Sequence, residues 1–136
     1  MKTTMEVEVP LQRLQDVWIN ALDSGSISYW CASVGVTAKG TDTVESLALD
    51  EQNDLQERYI APFRHDGKVG IELQEPDDIP GGPKTYIFDL RAMRHALTVM
   101  SKHYPRHLAD ILSGNDDANT ADAFVQCAIF GELVYG

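Results

Sequence analysis

The chain has 136 residues, with 21 Asp and Glu against 11 Lys and Arg, and a formal net charge of −10. That length suits a single globular domain burying roughly two-thirds of the surface its unfolded chain exposes, and 43% hydrophobic residues exclude wholesale disorder. A pI near 4.6 argues against direct nucleic-acid binding, which wants a basic footprint on phosphate, and against docking on an anionic membrane.

Met1 to Glu8 carry no apolar run of the kind that marks a signal peptide. Nowhere do the ~20 apolar residues of a membrane-spanning helix follow one another. Residues 10–23 read as a helix: Pro10 suits its first turn, and Leu11, Leu14, Trp18, Ala21 and Leu22 recur at helical spacing until Ser24-Gly25-Ser26. Ile27 to Val36 is rich in β-branched and aromatic residues without clean alternation, so a strand and a buried helix both fit. Lys39-Gly40-Thr41-Asp42 marks a loop, and residues 44–54 fit a short helical turn or a docked loop around Val44, Leu47 and Leu49. Leu55 to Arg64, with Tyr59, Ala61 and Phe63 alternating, reads as a strand leading into a hairpin turn at Asp66-Gly67. Val69, Ile71 and Leu73, between Lys68, Gly70, Glu72 and Gln74, give the clearest half-buried strand. Pro76 to Pro83 is rich in turn residues, and Thr85 to Leu90 is a third strand, an order that favours an antiparallel meander.

Asp89 suits the cap of a helix running to about His103, with Ala92, Met93, Leu97 and Met100 on its apolar face. Pro105 stops that helix or starts the next, which carries Leu108, Ile111 and Leu112 and ends near Gly114. Asn119 or Thr120 is placed to cap the last helix, with Asp122 in its first turn and a broad apolar stripe of Phe124, Val125, Ala128, Ile129 and Leu133. The order predicts an α+β fold: a small antiparallel sheet of three to four strands, an N-terminal helix and a C-terminal group of three helices.

Charge is unevenly spread along this frame. Asp42, Glu45, Asp50, Glu51, Asp54 and Glu57 fall within residues 41–57 without a Lys or Arg. Such a run either keeps the chain solvated, the commoner use, or docks on a basic partner and steers association at long range. Residues 90–109 hold Arg91, Arg94, Lys102 and Arg106 and no acid, together with His95, His103 and His107. Arg91, Arg94 or His95, Thr98 and Lys102 share one helix face, suited to a phosphate or carboxylate ligand. Pairing with the acidic stretch of the same chain or of a second subunit is the preferred alternative. Tyr29 and Trp30 would complete a nucleotide-type site by stacking, although adjacent aromatics more commonly divide between core and surface.

Other motifs carry less. His103 and His107 have the spacing of two metal ligands on a helix, but Pro105 lies between them and no Glu follows His103. Asn115, Asp117 and Asn119 alternate like a calcium loop, yet Thr120 and Gln126 stand where its Gly and Glu belong, which leaves a loop and helix cap. Ser24-Gly25-Ser26 lacks a nucleophile-elbow frame, and Gly81-Gly82 lacks the lysine of a phosphate loop. Cys31 and Cys127, far apart and without a CxxC partner, read as free thiols of a reducing compartment, packed as small hydrophobes. No cofactor and no metal are implied.

Two stretches are similar to a known group. Ala21 to Cys31 resembles an "A-x-x-G-G-x-x-Y-W" run, and Ala121 to Gly136 resembles an "A-D-x-x-x-Q-x-A-x-F-G-E-x-V-Y-G" ending, both found in small uncharacterised bacteriophage and prophage proteins. The first stretch departs at Ser24, or Ser26, where the pattern has a second Gly. The resemblance implies a phage accessory protein in the cytoplasm of an infected or lysogenic bacterial host, and transfers no catalytic residue. The leading expectation is therefore a non-enzymatic acidic interaction module that contacts a host protein through residues 42–57. The alternatives are a binder or enzyme for a nucleotide or other anion, using Tyr29, Trp30, Arg91, Arg94 and His95, and a structural homo-oligomer. Leu133-Val134-Tyr135, an apolar tail that must dock, suits a homodimer interface.

Overall fold

The alternation of Val69, Ile71 and Leu73 is realised as the middle strand of a sheet in the computed structural model, which describes residues 8–36 and 57–136. β1 (Cys31–Val36), β2 (Val69–Leu73) and β3 (Tyr86–Phe88) pair in that order, antiparallel throughout. Val34 faces Ile71, Val36 faces Val69, and Val69 faces Phe88 on the other side. The register shifts between Cys31 and Ser33, where two steps along β1 meet one along β2. That bulge lets Cys31 and Val34 both be buried three residues apart. It is also why residues 27–36 show no clean alternation. Turns occupy residues 26–30, and the strand begins only at Cys31.

The strand expected over Leu55 to Arg64 does not form in its described part. Residues 57–60 are helical and Ala61–Phe63 make a 3-10 turn. Pro62 has no N–H for a ladder and its fixed φ favours the first turn of a helix, so it overrides the short alternation around it. Glu57 and Arg64 pair across this turn, with a second contact of 3.2 Å. Asp66-Gly67 is still a turn, with Asp66 at φ 57° and the Gly67 N–H donating to the Arg64 carbonyl at 2.9 Å. It joins the 3-10 turn, rather than a strand, to β2. The loop expected at residues 39–42 and the helical turn or docked loop expected at 44–54 lie outside the described residues.

The described residues pack as two units, 28–36 and 57–90 with the sheet, and 8–27 with 91–136. The second unit is helical. It holds α1 (Leu11–Asp23), α2 (Leu90–His103, which starts at the boundary), α3 (Pro105–Ser113) and α4 (Ala118–Phe130). α1 buries Leu14, Val17, Trp18 and Ala21 at helical spacing and lies against α4 and α3, while Leu11 remains 49% exposed. Asn20 ties α1 to the segment before α4, its Nδ2 donating to the Asp116 carbonyl and carboxylate, both at 3.1 Å. Pro105 starts α3 at its first helical position, where a missing N–H costs nothing, and Gly114 closes it in the left-handed conformation.

α4 corrects the sequence reading twice. Its cap is Asp117, not Asn119 or Thr120: the Asp117 carboxylate accepts the Thr120 N–H at 2.8 Å, which places Asn119 and Thr120 inside the helix and Asp122 beyond its first turn. Its apolar surface is not a stripe either. Thr120, Ala121 and all of Ala123–Ala128 are buried, Ile129 is half-buried, and Leu133 lies past the helix end. α4 is hydrophobic nearly all round, as suits a helix covered on one side by α1 and α3 and elsewhere by the segment that follows it.

The cap has a pH signature. The Thr120 N–H bond holds the Asp117 carboxyl below its ordinary value of 3.8, against a smaller opposing effect of burial. A depressed carboxyl stabilises the fold above its unfolded pKa and loses that contribution as pH falls through the native value. Asp117→Ala is expected to cost about 1 kcal/mol at neutral pH. In urea melts from pH 7 to pH 2, the gap to wild type should persist down to about pH 4 and close below it.

Candidate functional site

α2 turns Ala92, Met93, Ala96, Leu97, Val99 and Met100 into the core, which leaves Arg91, Arg94, His95 and Lys102 exposed on the opposite face with Thr98 half-buried among them. Among the described residues, Arg91, Arg94 and Lys102 make no ion pair. Lys102, in the last turn, suits the negative end of the helix dipole. Arg91 and Arg94 do not: they sit in the first turns, at the positive end, three residues apart, where their charges repel by a few tenths of a kcal/mol. Helix stability therefore does not account for them, and an external anion or carboxylate would relieve the repulsion. His95 lies beside the end of α4, since a Cβ placed on Gly131 would be 3.1 Å from its Nε2.

The other residues expected at a ligand site are placed differently. Trp30 is 2% exposed, so its ring belongs to the core, and its carbonyl accepts the Gln74 N–H at 2.9 Å. Tyr29, beside it in the sequence, is 53% exposed. Tyr29 and Trp30 belong to the sheet-containing unit, and Arg91, Arg94 and His95 to the helical one. Of the acidic set, Asp42, Glu45, Asp50, Glu51 and Asp54 lie outside the described residues, and Glu57 is paired with Arg64.

Both thiols are free and buried. Burial pushes Cys31 up to about 11, offset in part by the Ser33 backbone and the Arg58 charge, and pushes Cys127 up to about 12. Both are protonated and poorly nucleophilic at neutral pH. His107 faces Thr120, Nδ1 to Oγ1 at 2.9 Å, and the same hydroxyl lies 3.4 Å from the Asp110 carboxylate, so it links α3 to α4. Among the described residues no three His, Cys, Asp or Glu side chains converge as a metal site would need. Among them, too, no helix is long and apolar enough to cross a membrane.

One polar centre escapes the sequence reading. Gln126 is 1% exposed, midway along the most apolar helix. Its Oε1 accepts the N–H of Val134 at 2.9 Å and of Tyr135 at 2.8 Å. Its Nε2 donates to the Tyr135 carbonyl at 3.2 Å and to the Asp122 carboxylate at 2.9 Å. Both lone pairs and both N–H groups of the carboxamide are thereby used. The Tyr104 hydroxyl accepts the Leu133 N–H at 3.3 Å, and the Tyr135 ring tilts against Phe130 at 6.0 Å between centroids. The apolar tail thus docks on α4 of its own chain. A signal was present: a Gln between Phe124-Val125 and Cys127-Ala128 must find four hydrogen bonds somewhere if the helix is buried.

Compared with protein-family models, with curated proteins and with solved structures, the chain has no match in any of the three.

Proposed function

We propose that this protein works by binding rather than by catalysis, as an acidic interaction module whose contact is the stretch from Asp42 to Glu57. The observation that carries this reading is the segregation of charge. Six acids fall within residues 41–57 without a single base, while residues 90–109 hold four bases and no acid. A run of acids on a chain of net −10 speeds encounter with a basic surface and repels acidic ones. The resemblance of residues 21–31 and 121–136 to phage and prophage proteins supports a host cytosolic protein as the partner.

The test is charge reversal. A chain carrying Asp50→Lys, Glu51→Lys and Asp54→Lys should no longer capture the basic host protein that the wild type retains at low salt, while melting at the same temperature. Equal capture by both chains would overturn the proposal. The second reading, an anion or nucleotide site on α2, is favoured by the exposed Arg91 and Arg94 at the dipole end where a cation is least at home. It requires a thermal shift with nucleotides or inorganic phosphate that disappears in Arg91→Ala/Arg94→Ala.

A further inference from the structure

We propose that residues 132–136 are a detachable strap, and that the surface beneath them is a cradle for a short peptide, filled here by the chain's own segment. Three observations carry this. First, the hydrogen bonds that Gln126 and Tyr104 make to the strap go to main chain: Gln126 takes two successive N–H groups and one carbonyl, and Tyr104 takes a third N–H. A receptor that reads main chain accepts many side chains and gains selectivity from a few pockets, here the contact of an aromatic ring with Phe130.

Second, the two sides of the contact are unequal. Gln126 and its helical neighbours are buried, whereas none of residues 131–136 is, and Val134 is 40% exposed. A segment with so little buried surface opens at lower free energy than the helix it lies on. Third, Gly131, at φ 75°, ends α4 and precedes the strap, so rotation there frees residues 132–136 without disturbing the helix. The open state breaks three of these bonds and uncovers the carboxamide, which then presents one acceptor and one N–H to a replacement peptide backbone.

The ligand class is a peptide of about three residues, turned so that two successive N–H groups converge on the Gln126 Oε1 as those of Val134 and Tyr135 do, with an aromatic at its last position. Hydrogen–deuterium exchange on the full chain tests the strap. Amides of Leu133, Val134 and Tyr135 should be protected, yet exchange faster than those of α4. Val134→Pro removes one donor at an exposed position, and Gln126→Leu removes the acceptor. Each should speed exchange at Leu133 and Tyr135 by about tenfold or more, with α1 and α4 unchanged. Strap and α4 exchanging together, or no acceleration in the Val134→Pro chain, overturns the strap. The cradle is tested on the Val134→Pro chain with a synthetic peptide of the sequence of residues 131–136. Saturable shifts of the Gln126 side-chain amide are expected, and their absence at millimolar peptide overturns the cradle.

Discussion

Replacing Phe124 with Ala is expected to destabilise the protein by about 3–5 kcal/mol, a large share of the roughly 5–15 kcal/mol that holds a folded protein together. Phe124 is fully buried in α4, which is buried along most of its length and packs against α1 and α3. Removing the ring loses its transfer free energy. It also opens a cavity that the packed helices cannot collapse to fill. For a domain of this size the melting temperature should fall by roughly 10–15 °C. Phe130, further along the same helix, is only half-buried, so Phe130→Ala should lower it by much less. Equal shifts for the two variants, read by calorimetry, would contradict the burial of Phe124.

Gly67→Ala is expected to cost about 3 kcal/mol, at the upper end for overpacking, because the obstruction is backbone. A Cβ at Gly67 falls inside van der Waals contact with the Ala61 carbonyl oxygen and 3.0 Å from the Arg64 Cβ. The turn that feeds β2 would have to open, losing the hydrogen bond from Gly67 to Arg64. Gly81→Ala is the matched control. Nothing lies within 4 Å of its Cβ, and the cost there is the left-handed backbone at φ 76° alone, about 1–2 kcal/mol. Guanidinium melts of both variants check the contrast, and a Gly67→Ala cost no larger than the control would contradict the close approach.

Where a residue's environment is set by its near neighbours in sequence, composition and spacing suffice to place it. α1, α2 and α3 announce themselves through helical apolar spacing, Pro105 through its fixed φ, and β2 through strict alternation. Those signals need no knowledge of the rest of the fold. Residues 57–64, the described part of the 55–64 segment, depart from the expected strand for a local reason: Pro62 cannot serve a ladder, and that one residue outweighs the three alternating apolar positions around it. The cap of α4 was ambiguous because Asp117, Asn119 and Thr120 all have side chains able to accept a backbone N–H, and only the position of the helix start selects among them.

The sequence by itself determined the α+β class, the burial of both cysteines as small hydrophobes, and the division of charge between residues 41–57 and 90–109. Each follows from residue type and one-dimensional order. Tertiary structure alone decided the rest. It moved Trp30 from candidate ligand platform to core, because burial depends on what packs over a residue and not on its neighbour Tyr29. It gave β1 a bulge that hides its alternation. It also turned Gln126 from one polar letter in an apolar run into the residue that holds Val134 and Tyr135. A carboxamide's partners are chosen by three-dimensional geometry, and here they lie eight and nine residues on, past the turn that brings the chain back along α4.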